Sequence, residues 1–222
     1  MVNKTKTAFT LAEVLITLVI IGIVAALTIP TAINKYNEEV RKSQFKKLYS
    51  TLVQAIYTTE MKDYYGYARC NAGTNGQVPQ TWADCNTFYE ALAKNLQVQK
   101  VCRGNAKTEG CVPTYTHGLQ RGGCEFLLPS AIETTSYVYV LNNGQLIIAG
   151  VYSGNGSLIP MFMVDINGPK GPNILGKDLF EFGLEKDKTS GLYIKRALCF
   201  AAPAPGGKST EEMIRYAFAG KK

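Results

Sequence analysis

The stretch Ala8-Phe9-Thr10-Leu11-Ala12-Glu13-Val14-Leu15-Ile16 opens an apolar run and places one carboxylate, Glu13, near its start. From Val14 to Asn34 there are 21 residues without a charge. As a helix rising about 1.5 Å per residue, this run reaches roughly 31 Å, the thickness of a hydrocarbon core. An ionised carboxylate at the end of such a helix is unfavourable by a few kcal/mol unless it finds a partner, which marks Glu13 as a functional residue. Before it lies a short basic leader, Met1 to Ala8 with Lys4 and Lys6, and inside the run is one proline, Pro30.

This order of features resembles the prepilin signature of type IV pilins and of the pseudopilins of type II secretion: a basic leader, a small residue, Phe-Thr-Leu-x-Glu, an apolar run and a proline. Phe9-Thr10-Leu11-Ala12-Glu13 and Pro30 stand at the matching positions, and Ala8 replaces the usual Gly, small for small. The resemblance covers Met1 to Pro30. It implies that a prepilin peptidase cuts between Ala8 and Phe9 and methylates the new amine of Phe9. It also implies a structural, non-enzymatic subunit, held in the inner membrane by one pass with a periplasmic head and then assembled into a pilus or pseudopilus. The implied partners are identical or related pilin subunits, the peptidase and an inner-membrane assembly platform. Physically, cleavage leaves a positive amine on Phe9 in low dielectric, and Glu13 of a neighbouring subunit is its natural counterion. The competing reading is an ordinary signal peptide, with Val14 to Ala26 as its apolar core and a secreted, disulfide-rich binding protein starting at Leu27. Glu13 sits where that reading wants an apolar residue, and the helix-like pattern continues past Ala26.

The 222 residues suffice for an anchor and one modest head. All six cysteines, Cys70, Cys85, Cys102, Cys111, Cys124 and Cys199, follow the apolar run, which points to disulfides in an oxidising compartment. Cys70 with Cys85 is the favoured pair, closing a Gly- and Asn-rich loop, and the other four are left unassigned. There is no Cys-x-x-Cys, and the single histidine, His117, has no metal-ligand or catalytic spacing around it. Net charge is +7, and loss of Lys4 and Lys6 with the leader leaves +5. The cations Lys35, Arg41, Lys42, Lys46 and Lys47 crowd the far end of the apolar run. Raw counting under the positive-inside rule therefore favours the orientation opposite to that implied by the cysteines and the leader. The basic cluster reads as a solvated helix face, with nucleic-acid binding by an adhesive or DNA-uptake pilin as the alternative.

After Pro30 the apolar residues Phe45, Leu48, Leu52 and Ile56 recur every three or four positions. The pattern predicts one helix from Phe9 to Asp63, kinked or loosened at Pro30, with residues 9–34 as membrane or filament core and 35–63 as an amphipathic half. Tyr64-Tyr65-Gly66-Tyr67 reads as its end. A head over 64–200 follows, with a second helix from Thr87 to Leu96 capped by Asn86, and an irregular stretch from Cys102 to Cys124. Tyr137 to Leu141 and Gln145 to Ala149 flank Asn143-Gly144, the pair favoured in a type I′ hairpin. Pro160 to Ile166, Leu179 to Leu184 and Leu192 to Lys195 extend this to an antiparallel sheet, giving an α+β fold with the helix packed on the sheet. Residues 201–222 read as a flexible Pro/Gly spacer and a tail helix opened by the capping-box pair Ser209 and Glu212.

Two near-matches to a phosphate-binding loop fail. Gly171 to Lys177 is followed by Asp178 where a hydroxyl belongs, and Gly207-Lys208-Ser209 has Ala202 at the first Gly position. The segment Asp165-Ile166-Asn167-Gly168 with Gly171-Pro172-Asn173 and Asp178 looks like a loop found in many pilin-like proteins, and some pseudopilins bind calcium in a comparable region. Asp165, Asn167, Asn173 and Asp178 carry the hard oxygens calcium needs. The alternative, favoured by Lys170 and Lys177 between the two acids, is that these side chains cap tight turns. No other cofactor is expected.

Overall fold

A computed structural model describes residues 9–70, 82–115, 129–134, 137–154, 157–187, 191–196 and 203–219. The chain divides between Val40 and Arg41 into two compact units, and helix α1, Leu11–Cys70, belongs to both. In the first unit every large apolar side chain from Leu11 to Ile33 is exposed. The α-helix runs continuously through Pro30. A proline removes one amide donor, and in the turn before it the Thr28 hydroxyl donates to the Val24 carbonyl at 2.8 Å.

In the second unit α1 buries one stripe, Phe45, Leu48, Leu52, Ala55 and Ile56. Burial of each large side chain in this stripe contributes about 1.5–3 kcal/mol. The helix ends at Cys70 instead of Asp63. A lone Gly66 lowers helix stability by only about 1 kcal/mol and the tyrosines around it are compatible with helix, so the sequence there holds no true stop. Helix α2, Trp82–Lys94, likewise starts before Asn86, which is therefore interior and not a cap. The Asn86 amide donates to the Tyr137 hydroxyl at 3.3 Å.

Six antiparallel strands follow in sequence order across one sheet: β1 (Val98–Arg103), β2 (Tyr137–Leu141), β3 (Leu146–Gly154), β4 (Ser157–Asp165), β5 (Leu179–Asp187) and β6 (Gly191–Arg196). A short helix α3, Pro129–Thr134, precedes β2, and α4, Thr210–Phe218, comes after β6. The β2–β3 hairpin is where the sequence places it, but its turn is longer by one residue. The Gly144 amide donates to the Leu141 carbonyl at 2.8 Å and the Leu141 amide to the Gln145 carbonyl at 2.9 Å. Only Gly144 takes a positive φ, 81°, whereas a type I′ turn needs Asn143 there as well. This is the pattern of a type I turn closed by a glycine bulge. It is held by Asn143, whose Oδ1 accepts from the Gln145 amide at 3.1 Å.

Alternate residues of the strands feed two cores. On one face Tyr139, Ile147, Ala149, Phe162, Val164, Phe180 and Phe182 meet the α1 stripe, Phe88, Tyr89 and Leu92 of α2, and Met213 and Ala217 of α4. On the other, Val138, Leu146, Ile148, Met161 and Met163 meet Cys102, Ala106, Cys111, Val112, Tyr115 and Ile132. The stretch expected to be merely irregular after Cys102 thus builds a second core over residues 102–115. The fold is α+β, with a long N-terminal helix packed on an antiparallel sheet and a disulfide between Cys102 and Cys111.

Candidate assembly and processing site

The start of α1 is organised by Thr10 and Glu13. Thr10 lies just outside the helix and Glu13 at its third position, so the pair forms a capping box. The Glu13 Oε2 accepts from both the Thr10 amide and the Thr10 hydroxyl at 2.8 Å, and the Thr10 hydroxyl oxygen accepts from the Glu13 amide at 3.3 Å. The Val14 amide donates to the Thr10 carbonyl at 3.3 Å, closing the first turn. Glu13 is therefore held beside two donors of Thr10, the residue that follows Phe9, and Phe9 is 85% exposed. Sequence reading missed the role of Thr10, although Thr-x-x-Glu is the same signal as Ser209 to Glu212. Ala8 lies outside the described residues.

The apolar helix behind this cap is long enough and apolar enough to cross a membrane, with none of its most apolar window buried. In water, a helix with apolar residues all round is unstable as an exposed element. It calls for lipid or for other helices.

The loop between β4 and β5 brings the four expected oxygen ligands together and shows what each does. The Asp178 Oδ2 and Oδ1 accept from the amides of Asn173 and Ile174, both at 2.6 Å. The Asp165 Oδ1 accepts from the Asn167 amide at 3.1 Å, and its Oδ2 from the Tyr115 hydroxyl at 3.2 Å. Both acids are fully buried. Burial, and then the nearby charge of Asp178, push the Asp165 carboxyl up to about 8, and burial raises Asp178 as well. The carboxylates thus cap turns of their own loop, while Asn167 Oδ1 and Asn173 Oδ1 are buried acceptors without a hydrogen-bond partner. Among the described residues no group of three or more acid, histidine or cysteine side chains is arranged to hold a metal. Within the near-match to a phosphate loop, the Asn173 and Ile174 amides are thus taken by Asp178.

This loop also pins residues 203–208, which are not the free spacer expected. The Ala204 amide donates to the Leu175 carbonyl at 3.1 Å and the Lys208 amide to the Gly176 carbonyl at 2.8 Å. A Cβ at Gly176 would come within 2.5 Å of the Pro203 side chain, so the contact requires glycine. Ser209 then caps α4 through a complete capping box with Glu212. The Thr210 hydroxyl donates to the Glu181 carbonyl of β5 at 2.9 Å.

Of the cysteines, Cys102 and Cys111 are bonded with their Cα atoms 6.4 Å apart, and Cys85 is also disulfide-bonded. The side chain of Cys70, expected to pair with Cys85, lies outside the described residues, as do Cys124, Cys199 and His117. A further anchoring residue was not foreseen. Tyr89 of α2 places its hydroxyl between the paired residues Gly150 and Met161, shared between their carbonyls and accepting the Met161 amide at 3.0 Å.

Compared with known proteins, residues 3–29 match the family model of the prokaryotic N-terminal methylation motif, the signature of type IV pilins and pseudopilins. No curated protein and no solved structure matches the chain.

Proposed function

We propose that this chain is a prepilin-type structural subunit, cut between Ala8 and Phe9, N-methylated on Phe9 and assembled through α1 into a type IV pilus or a type II secretion filament. The observation that carries this reading is the placement of Glu13, fixed by Thr10 at the head of an uninterrupted exposed apolar helix inside the methylation motif. In the precursor the Glu13 carboxylate is satisfied by Thr10. Cleavage creates a cationic amine, and in a stack of subunits each amine takes the Glu13 of a neighbour as its counterion in low dielectric. Apolar faces from Val14 to Ile33 then pack on one another, and the heads form the outer surface. Identical or related subunits, a prepilin peptidase and an inner-membrane platform are the partners this requires. The test is mass spectrometry of the mature N-terminus after co-expression with a prepilin peptidase. A first residue of N-methylated Phe9 is expected, whereas Leu27 as the first residue makes the chain a secreted protein and overturns the reading.

A further inference from the structure

A cleft of about 590 Å³ opens between α1, the turn joining α2 to β1, and the β2–β3 turn, all within the second unit. Along α1 it is lined by Lys47, Thr51, Gln54 and Thr58, at intervals of four, three and four residues, which places them on one helix face over about 16 Å. Asn95 and Gln97 line it from the α2–β1 turn, and Asn142 and Asn143 from the β2–β3 turn. Ala55 and Leu141, both buried, supply its apolar part. Its volume lies in the range of about 300–1,000 Å³ usual for small-molecule sites, yet its lining is mostly amide and hydroxyl where such sites are mostly apolar.

Hydrogen bonds at the margins hold the three walls together. The buried Gln145 donates from Nε2 to the Gln44 carbonyl at 3.1 Å, tying the hairpin to α1. The Asn95 Nδ2 donates to the Thr59 hydroxyl at 2.9 Å, tying the end of α2 to α1. The Asn142 amide donates to the Gln97 carbonyl at 2.9 Å, joining the two turns. Asn143 is engaged by Gln145 at both ends of its amide. By contrast, among the described residues no hydrogen bond engages the side chains of Thr51, Gln54, Gln97 or Asn142, and no acid pairs with Lys47. The walls are therefore set before a ligand arrives, and binding need not order them.

Each side-chain amide presents a carbonyl acceptor beside an NH2 donor, and a threonine hydroxyl does both. The ligand groups that likewise donate and accept are hydroxyls, and a row of them is a saccharide. A nucleic acid needs several cations, and Lys47 is the one charged group among the described lining residues. An extended peptide is selected through pockets for alternate side chains, for which Ala55 and Leu141 give little surface, though enough for the C–H face of a sugar ring. We propose that this cleft binds a short oligosaccharide, with Gln54, Gln97 and Asn142 bonding its hydroxyls and Lys47 taking a carboxylate at one end of the chain. The site lies in the head alone and is independent of the filament reading. It would serve equally a mature chain that began at Leu27.

The test probes an array of neutral and carboxylate-bearing oligosaccharides with the full chain in polyoxyethylene detergent, whose micelles contain no sugar. The best-bound oligosaccharide is then titrated by calorimetry. The double variant Gln54→Ala with Asn142→Ala should weaken binding by about tenfold or more, with an unchanged melting temperature because both residues are exposed. Thr51→Met, which narrows the cleft and removes none of the bonds between its walls, should weaken binding as well. Lys47→Gln should cost carboxylate-bearing chains about twofold to fivefold and leave neutral ones unchanged. An array with no bound oligosaccharide, or a double variant that binds as the wild type does, overturns the proposal. Binding confined to a parallel array of extended peptides, and lost in the double variant, replaces it with a peptide site. None of these readouts involves the cut at Ala8-Phe9, so failure here leaves the test of the mature N-terminus standing.

Discussion

The apolar residues of α1 between Val14 and Ile33 and those between Phe45 and Ile56 are chemically alike and differ in arrangement. The first group surrounds the helix and is exposed throughout, whereas the second occupies one stripe and is buried under the head. One continuous backbone thus carries two surface patterns, all-round apolar before Lys35 and striped after Arg41, the first of a kind suited to lipid or to other helices. The difference teaches that the first portion is unfinished without other molecules, while the second is completed within its own chain.

The strongest way to break this contrast is at Glu13. Glu13→Ala should remove the proposed intersubunit pair, leaving a buried unpaired amine at about 3–5 kcal/mol per interface. Sheared filaments should fall below detection while membrane-held subunit persists. Normal filament yield would reduce Glu13 to a helix cap. Next in size, Leu52→Ala should destabilise the head by about 2–5 kcal/mol, whereas Val19→Ala should shift the head's melt by less than about 0.5 kcal/mol. Equal shifts in detergent-solubilised protein would erase the distinction between the two portions. Replacing Cys102 and Cys111 together by Ser should remove about 2–3 kcal/mol, read as a lower melting temperature and a smaller further drop on reduction than in the wild type, because Cys85 keeps its own disulfide.

A pH series sharpens the description of the head. The folded Asp165 carboxyl is held near 8 against an ordinary 3.8, so between these values the folded state binds a proton that the unfolded state has lost. Stability should therefore fall as pH rises from about 4 to about 8, by at most about 1.4 kcal/mol per unit, and level off above. Asp165→Asn should flatten this slope and be the more stable protein at pH 8.5, with part of the slope retained through Asp178. The smallest effect is Ser209→Ala, expected to loosen α4 by about 1 kcal/mol. It should be seen as faster amide exchange in residues 210–213.

How much of this was legible depended on how local the cause was. The α1 stripe, the hairpin at 137–149 and the Ser209 cap are each specified within a few residues, and each could be read. Asn143-Gly144 gave the position of the turn but not its type, because the same pair serves a type I′ turn or a type I turn with a glycine bulge. β1 was missed because Val98, Val101 and Cys102 do not alternate with the polar residues between them, and its burial pattern is irregular. The second core could not be read because it joins Cys111, Tyr115 and Ile132 to strands far along the chain. The turn-capping alternative for Asp165 and Asp178 needed only their own loop. The Tyr115 partner, 50 positions away, needed the fold.

Met213 and Ala217 lie in the same core as Phe45 and Leu48, and this has a consequence for the order of events during synthesis. Translation produces Phe45 well over a hundred residues before Ala217. The stripe on α1 must therefore wait, partly uncovered, until α4 has been made and residues 203–208 have clipped onto the β4–β5 loop. A chain interrupted before that point would already carry the methylation motif and its apolar helix together with an open head. The closing clip thus makes completion of the head a late event that unfinished copies cannot imitate.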